Sequence, residues 1–266
     1  MYIRLLTAAC LWLFSCIATA EIADQHEPQG QGWFVATQGW SPTKGTWVHD
    51  PQTSKIEGPA KTGGVFWYRH SFDVSTPGPQ VVDFRHSSVV GRYTHFLFNE
   101  NNEIVSTLTG GIQSKEDNEY FLRHGRTVVL PAGQYHLVTQ VDSPFFLAQP
   151  EPYVTPKQDY LQSIKIGNLV TVLGLGIFLA LGFYYFTLAL ARRRMADMFY
   201  ALFILGNLIY NGTALMVFSD VFSITWFYGI SFPILFSNMA YIAFVMALLS
   251  IDRTRHPKLF VAGLSI

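Results

Sequence analysis

The sequence predicts a mixed architecture, an all-β jelly roll or sandwich followed by an α-helical transmembrane bundle, and three observations predict it. Charge is segregated: of 36 charged residues in the 266-residue chain, 26 lie in 21–165 and only five (Arg192, Arg193, Arg194, Asp197 and Asp220) in 166–251. That second stretch holds long uncharged apolar runs, each able to cross a bilayer as a helix. Residues 21–154 show short β-rich runs separated by turn clusters at about ten-residue intervals. With 50% hydrophobic and 14% charged residues the chain is too apolar for an ordinary soluble protein. The formal net charge of zero is an average, because 21–165 holds 15 acids against 11 bases, net −4, and the remainder 7 bases against 3 acids, net +4. No basic surface for nucleic acid is expected.

Residues 1–20 read as a secretory signal peptide: Arg4, an apolar run over 5–17 too short to span comfortably, then Ala18-Thr19-Ala20 as a small-residue cleavage pattern. The two cysteines, Cys10 and Cys16, both fall in this segment, so the processed chain has no thiol chemistry. The chain beyond Ala20 is expected to be exported, which in a bacterium means the periplasm.

In the exported domain, 21–154, turn markers include Thr76-Pro77-Gly78-Pro79, Asn99 to Asn102, Gly110-Gly111, His124-Gly125 and Pro131-Ala132-Gly133. Between them 65–74 alternates strictly. Phe66, Tyr68, His70, Phe72 and Val74 point one way, towards the core, and Val65, Trp67, Arg69, Ser71 and Asp73 the other. Further strands are predicted at 80–86, 93–98, 104–108, 126–130 and 135–141, with earlier ones around Trp33 and Trp47, making about eight, a jelly-roll number. Pro150, Pro152 and Pro156 predict a stiff non-helical connection, and 155–165 a linker with a polar helical lead-in.

The membrane region, 166–266, is predicted to hold three full helices, at about 166–191, 198–219 and 225–250, and the start of a fourth at 259. The basic loops, Arg192-Arg193-Arg194 and Arg253, Arg255 and Lys258, belong in the cytoplasm by the positive-inside rule. An exported amino-terminal domain requires the same orientation. The final apolar run, 259–266, stops too early to cross, so the chain reads as a fragment or a truncated frame of a larger bundle.

Taken together, signal peptide, sandwich and helix order resemble the bacterial seven-transmembrane receptors with diverse intracellular signalling modules (7TM-DISM). The residues that carry the resemblance are Gly64 to Phe72 (GVFWYRHSF), Leu130-Pro131-Ala132-Gly133, and 182–200, where Asp197 and Tyr200 open the second helix. The resemblance implies an inner-membrane protein with a periplasmic sensor similar to carbohydrate-binding modules, seven helices, and a cytoplasmic output such as a diguanylate cyclase or histidine kinase. This chain departs from that pattern after three helices and the start of a fourth.

Seven histidines lie in the exported domain (His26, His49, His70, His86, His95, His124 and His136), with no metal-ligand spacing among them, and phosphate loops and nucleophile elbows are absent. No metal, cofactor or catalytic residue is expected. Aromatic residues are more informative, because sugar rings stack on exposed aromatic faces while polar side chains fix their hydroxyls. Trp40, Trp47, Trp67, Arg69 and Arg92 are the candidate ligand-binding residues. The competing reading of Trp67, and the weightier one, is that the amino-terminal segment covers its face and makes it core. In the helices, Gly176 and Ala180 offer a small-xxx-small contact, and Asn207, Asn211 and Asn238 can bond neighbouring helices.

The expected function is a membrane receptor, not itself an enzyme, that binds a small-molecule or carbohydrate ligand in the periplasm and signals through its helices, with the lipid bilayer and a second copy as further partners. Two alternatives stand beside it: the sensory half of a diguanylate cyclase or histidine kinase whose catalytic domain lies beyond Ile266, and an envelope carbohydrate-binding protein with no signalling role.

Overall fold

Strict alternation in the strand around Trp67 demands a surface on each side of it, and the architecture supplies both. The computed structural model describes residues 32–37, 39–42, 53–86, 89–251, 254 and 256–265; the predicted signal peptide and Trp47, with the strand expected around it, lie outside these. Nine strands are present among the described residues: β1 Gly32–Ala36, β2 Thr53–Ile56, β3 Gly64–Val74, β4 Gly78–Arg85, β5 Arg92–Asn99, β6 Ile104–Gly110, β7 Arg126–Leu130, β8 Gly133–Ser143 and β9 Glu151–Pro156. They form two antiparallel sheets, one of six strands in the order β2-β1-β3-β8-β5-β6 and one of three in the order β7-β4-β9. The longest ladder joins β3 to β8, from Gly64 opposite Ser143 to Val74 opposite Gly133.

The inward set of β3 packs as its period requires. Tyr68 joins Trp33, Phe84, Tyr93 and Val141 in one cluster, and Val74 joins Val82, Leu97, Leu130 and Leu137 in another. Strand β4 does not alternate, since Gln80, Val81, Val82, Asp83 and Phe84 are all buried. Val82 and Phe84 face the large sheet, while Val81 and Asp83 face the start of the first helix. A strand covered on both sides reads as a continuous buried run.

Strand β9 replaces the predicted proline-stiffened connection. Among the described residues it is an edge strand paired only with β4, where Pro152 lies opposite Phe84 and Pro156 opposite Gln80. Proline fits an edge, because one side of the strand has no ladder to lose. Pro156 is also the N-cap of the first helix, α1, Lys157–Arg192, so strand passes into helix with no separate linker. Thereafter come α2 Met195–Ala214, the short α3 Val217–Phe222, a 3-10 turn Phe227–Gly229, α4 Ser231–Leu248 and α5 Pro257–Ser265. Lys157–Arg192 and Phe227–Leu248 are long and apolar enough to cross a membrane. The helix α2 stops five residues before the predicted end, because Met216 adopts a left-handed backbone (φ 65°) after it.

Packing of α2 on α4 explains one of the asparagines. Asn207 Nδ2 donates to Ser237 Oγ at 2.5 Å, and Ser237 Oγ donates to the carbonyl of Phe203 at 2.9 Å. Gly206 makes this approach possible, since a Cβ there would stand 2.7 Å from Ser237 Cβ and 2.9 Å from the carbonyl oxygen of Pro233. Asn211 instead donates to the Asn207 carbonyl one turn back in its own helix, and Asn238 is exposed on α4. Gly176 and Ala180 are also exposed, with open space where a Gly176 side chain would lie, so the α1–α2 contact is made elsewhere, at Gly182 against Ile204.

Candidate functional site

On the outer face of the six-stranded sheet the register places Phe34 beside Trp67 and Trp67 opposite Gln140, which lies opposite Thr94. Trp67 is 4% exposed, so the covered-face reading holds for it. Its ring is flanked by Phe34 (centroids 6.3 Å, interplanar 19°) and Phe96 (6.2 Å, 26°), and Trp40 meets it edge-on at 4.6 Å and 87°. Trp40 comes back onto the sheet through a turn in which its N–H donates to the Thr37 carbonyl at 3.0 Å, with Gly39 at φ 85°. A left-handed residue at that point favours glycine.

Trp40, Trp67 and Arg69 are therefore brought together. The Arg69 guanidinium lies 5.6 Å from the centroid of Phe34, and partial burial lowers its pKa from the usual value. Arg92 shares this outer face but lies two strands away, opposite Asp142, at the exposed start of β5. Two strand spacings are about 10 Å, so it stands apart from Trp67 and Arg69. Between them Gln140 and Thr94 are half-buried, and His136 Nδ1 and Ser71 Oγ lie 2.8 Å apart farther along the face. The result is a buried aromatic cluster with half-buried polar side chains beside it.

A second constellation, unseen in the sequence, joins the sandwich to the helices. Tyr160, in the first turns of α1, is fully buried, and its hydroxyl donates to Asp83 Oδ2 at 2.6 Å. Burial raises the Asp83 pKa; the Tyr160 bond, the Phe84 N–H on Oδ1 at 2.7 Å and the nearby Arg123 charge oppose the rise. Gly125 leaves room for the phenol, as a Cβ there would stand 2.5 Å from its oxygen. On the other side of β4, against Phe84 and Tyr93, His95 is fully buried with Nδ1 2.7 Å from Thr139 Oγ1, and its pKa is pushed down to about 3, chiefly by burial and then by the charges of His124 and Arg126.

Farther along, Asn168 Nδ2 donates to the Phe121 carbonyl at 2.8 Å. Asp220, at the turn between α2 and α4, accepts from Asn118 Nδ2 at 3.0 Å and from the Leu122 N–H at 2.8 Å. Leu122 presents that N–H from a left-handed backbone (φ 57°), which costs an ordinary residue about 1–2 kcal/mol. An apolar patch completes the contact: Val89, Ile112 and Phe145 of the sandwich pack on Met216, Phe227 and Ile230, with Phe145 and Phe227 ring centroids 4.8 Å apart. The sandwich thus sits at the α2–α4 turn, and Arg192, Arg193 and Arg194 lie at the opposite end of α1.

The signal for Asp83 was present in the sequence, an acid inside the apolar run Val81-Val82-Asp83-Phe84. Tyr160 and Asp220 carry no such signal, because their partners are fixed only by the tertiary fold. Among the described residues no three metal-ligating side chains gather. No family model matches the chain, and no curated protein matches it.

Proposed function

We propose that the chain is the sensory part of a membrane receptor, in which a small, carbohydrate-like ligand binds the outer face of the six-stranded sheet and the helices carry the signal away. The observation that carries this reading is the direct passage of β9 into α1, with the first turns of the helix buried against β4 through Tyr160 and Asp83. A displacement passed from the six-stranded sheet to β4, which packs on it through Val82 and Phe84, has no slack segment between β9 and the membrane helix in which to dissipate. The Asp220 contacts add a second attachment at the α2–α4 turn. A ligand shifts such an assembly only by binding two states differently, typically by about 1–3 kcal/mol.

In this reading the strands form a jelly roll exported to the periplasm, α1, α2 and α4 are three inner-membrane spans, and the triple arginine stays in the cytoplasm. The three arginines of the short loop between α1 and α2 support that orientation. So does the 7TM-DISM resemblance, which adds a cytoplasmic output; ligand binding then acts by changing the orientation or the self-association of the sandwich.

The test has two arms. The full chain in nanodiscs is titrated with a panel of neutral mono- and disaccharides while its thermal unfolding is followed. Stabilisation by at least one sugar, abolished in Arg69→Ala and Gln140→Ala, is expected. A response that survives both changes, or none across the panel, overturns the ligand assignment. A reporter fused after Arg194 that is active only outside the inner membrane overturns the topology.

A further inference from the structure

Between α1 and α2, Gly182 and Ala201 leave a groove of about 270 Å³ walled by Phe178, Phe186, Leu205 and Leu208. Almost nothing polar lines it. The lining residues nearest the α1–α2 turn are Phe186, which precedes Arg192 by six residues, about 9 Å of helix, and Met198, which follows Arg194 by four, about 6 Å. Arg192, Arg193 and Arg194 are all exposed there, and among the described residues none has an ion-pair partner.

The local conformation gives no reason for arginine at this turn. Arg193 is the left-handed C-cap of α1 (φ 53°), donating its N–H to the Ala189 carbonyl at 2.8 Å. Glycine is the usual occupant, and a side chain here costs about 1–2 kcal/mol. Three guanidiniums within one turn instead match a phosphate, which arginine binds through parallel donors.

We infer that this groove holds one acyl chain of an anionic phospholipid whose phosphate lies on Arg192, Arg193 and Arg194. The apolar slot and the cationic turn are spaced as the two halves of one such molecule, and neither half alone fits a soluble anion or a neutral helix as well. The inference rests on the proposed membrane reading, and it assigns that reading a lipid partner at the end of the bundle remote from the sandwich.

The full chain is reconstituted in phosphatidylcholine nanodiscs containing about one quarter phosphatidylglycerol and studied by native mass spectrometry after release. One phosphatidylglycerol per chain is expected to remain bound in preference to phosphatidylcholine. Retention should fall more than tenfold in Arg192→Gln/Arg193→Gln, with Arg194 kept to hold orientation, at about fivefold per arginine removed. Leu205→Trp, which fills the slot and leaves every arginine in place, should also abolish it. Equal retention of the two lipids, or loss to added glycerol phosphate with no effect of Leu205→Trp, overturns the lipid assignment. A chain dimer with the groove sealed overturns it in favour of a second copy. Failure of the chain to enter nanodiscs at all is a separate result and refutes the membrane reading itself.

Discussion

Removing one oxygen atom tests the junction between sandwich and helix. In Tyr160→Phe the ring stays in its fully buried place against Tyr120 and Val81, and only the hydroxyl that donates to Asp83 Oδ2 at 2.6 Å is lost. Asp83 is 3% exposed, so water does not replace the donor without rearrangement. A buried acceptor left without its partner costs about 1–3 kcal/mol. For a domain of this size, a loss of about 2 kcal/mol lowers the melting temperature by about 5–10 °C. Differential scanning calorimetry of the full chain in detergent, with the cycle completed by Asp83→Ala and the double variant, measures both the loss and its coupling. A coupling above about 0.5 kcal/mol is expected for residues in contact. Additive single effects, or a melting temperature unchanged in Tyr160→Phe, would refute the argument that this pair locks the first turns of α1 to β4.

Three further outcomes are expected. Asp220→Ala removes the acceptor for Asn118 and for the Leu122 N–H, so hydrogen–deuterium exchange should quicken at residues 118–122 while β3 and β8 keep their protection; equal protection in the variant contradicts the docking contact. Gly206→Val drives a side chain into Ser237 and the Pro233 carbonyl and should destabilise the α2–α4 pair by about 1–3 kcal/mol, read as faster proteolysis of the helical region. Acidification should weaken the sandwich through His95. Its folded pKa of about 3 lies below the unfolded value near 6.5, so its contribution is complete above the unfolded value and is lost as pH falls towards 3, about 2 kcal/mol by pH 5. His70 and His136, lowered chiefly by burial, act in the same direction, whereas Asp83, raised by burial, favours the folded state at lower pH and partly offsets them. His95→Gln should flatten the melting temperature between pH 7 and 5, and an undiminished slope would remove His95 from the account.

Much of the sandwich was legible because its cause is local. Alternation over β3 assigned Tyr68 inward and Trp67 outward, and a pleated strand enforces that division whatever its neighbours are. What covers the outer face was not legible, since Trp40 reaches Trp67 through a turn whose destination depends on the sheet already being built. The strand β9 was hidden for a different reason. Proline argues against a central strand, and nothing in 150–156 says that this one is an edge. Hydropathy likewise cannot see the end of α2 at Ala214, where Leu215 and Met216 leave the helix without glycine or proline to mark the exit. For the candidate site, residue types were readable and distances were not: Arg69 and Arg92 are equivalent in the sequence, yet one lies over the aromatic cluster and the other two strands away.

The double cover of β4 bears on how the β-rich portion can be handled alone. A soluble fragment cut at Pro156 would strip the outer side of that strand, exposing Val81, the Asp83 carboxylate and the ring of Tyr120 in one sticky patch. Recombinant boundaries are better drawn beyond Asn168, so that the amphiphilic stub travels with the β portion as its own lid and the hydrophobic remainder of the helix is left behind.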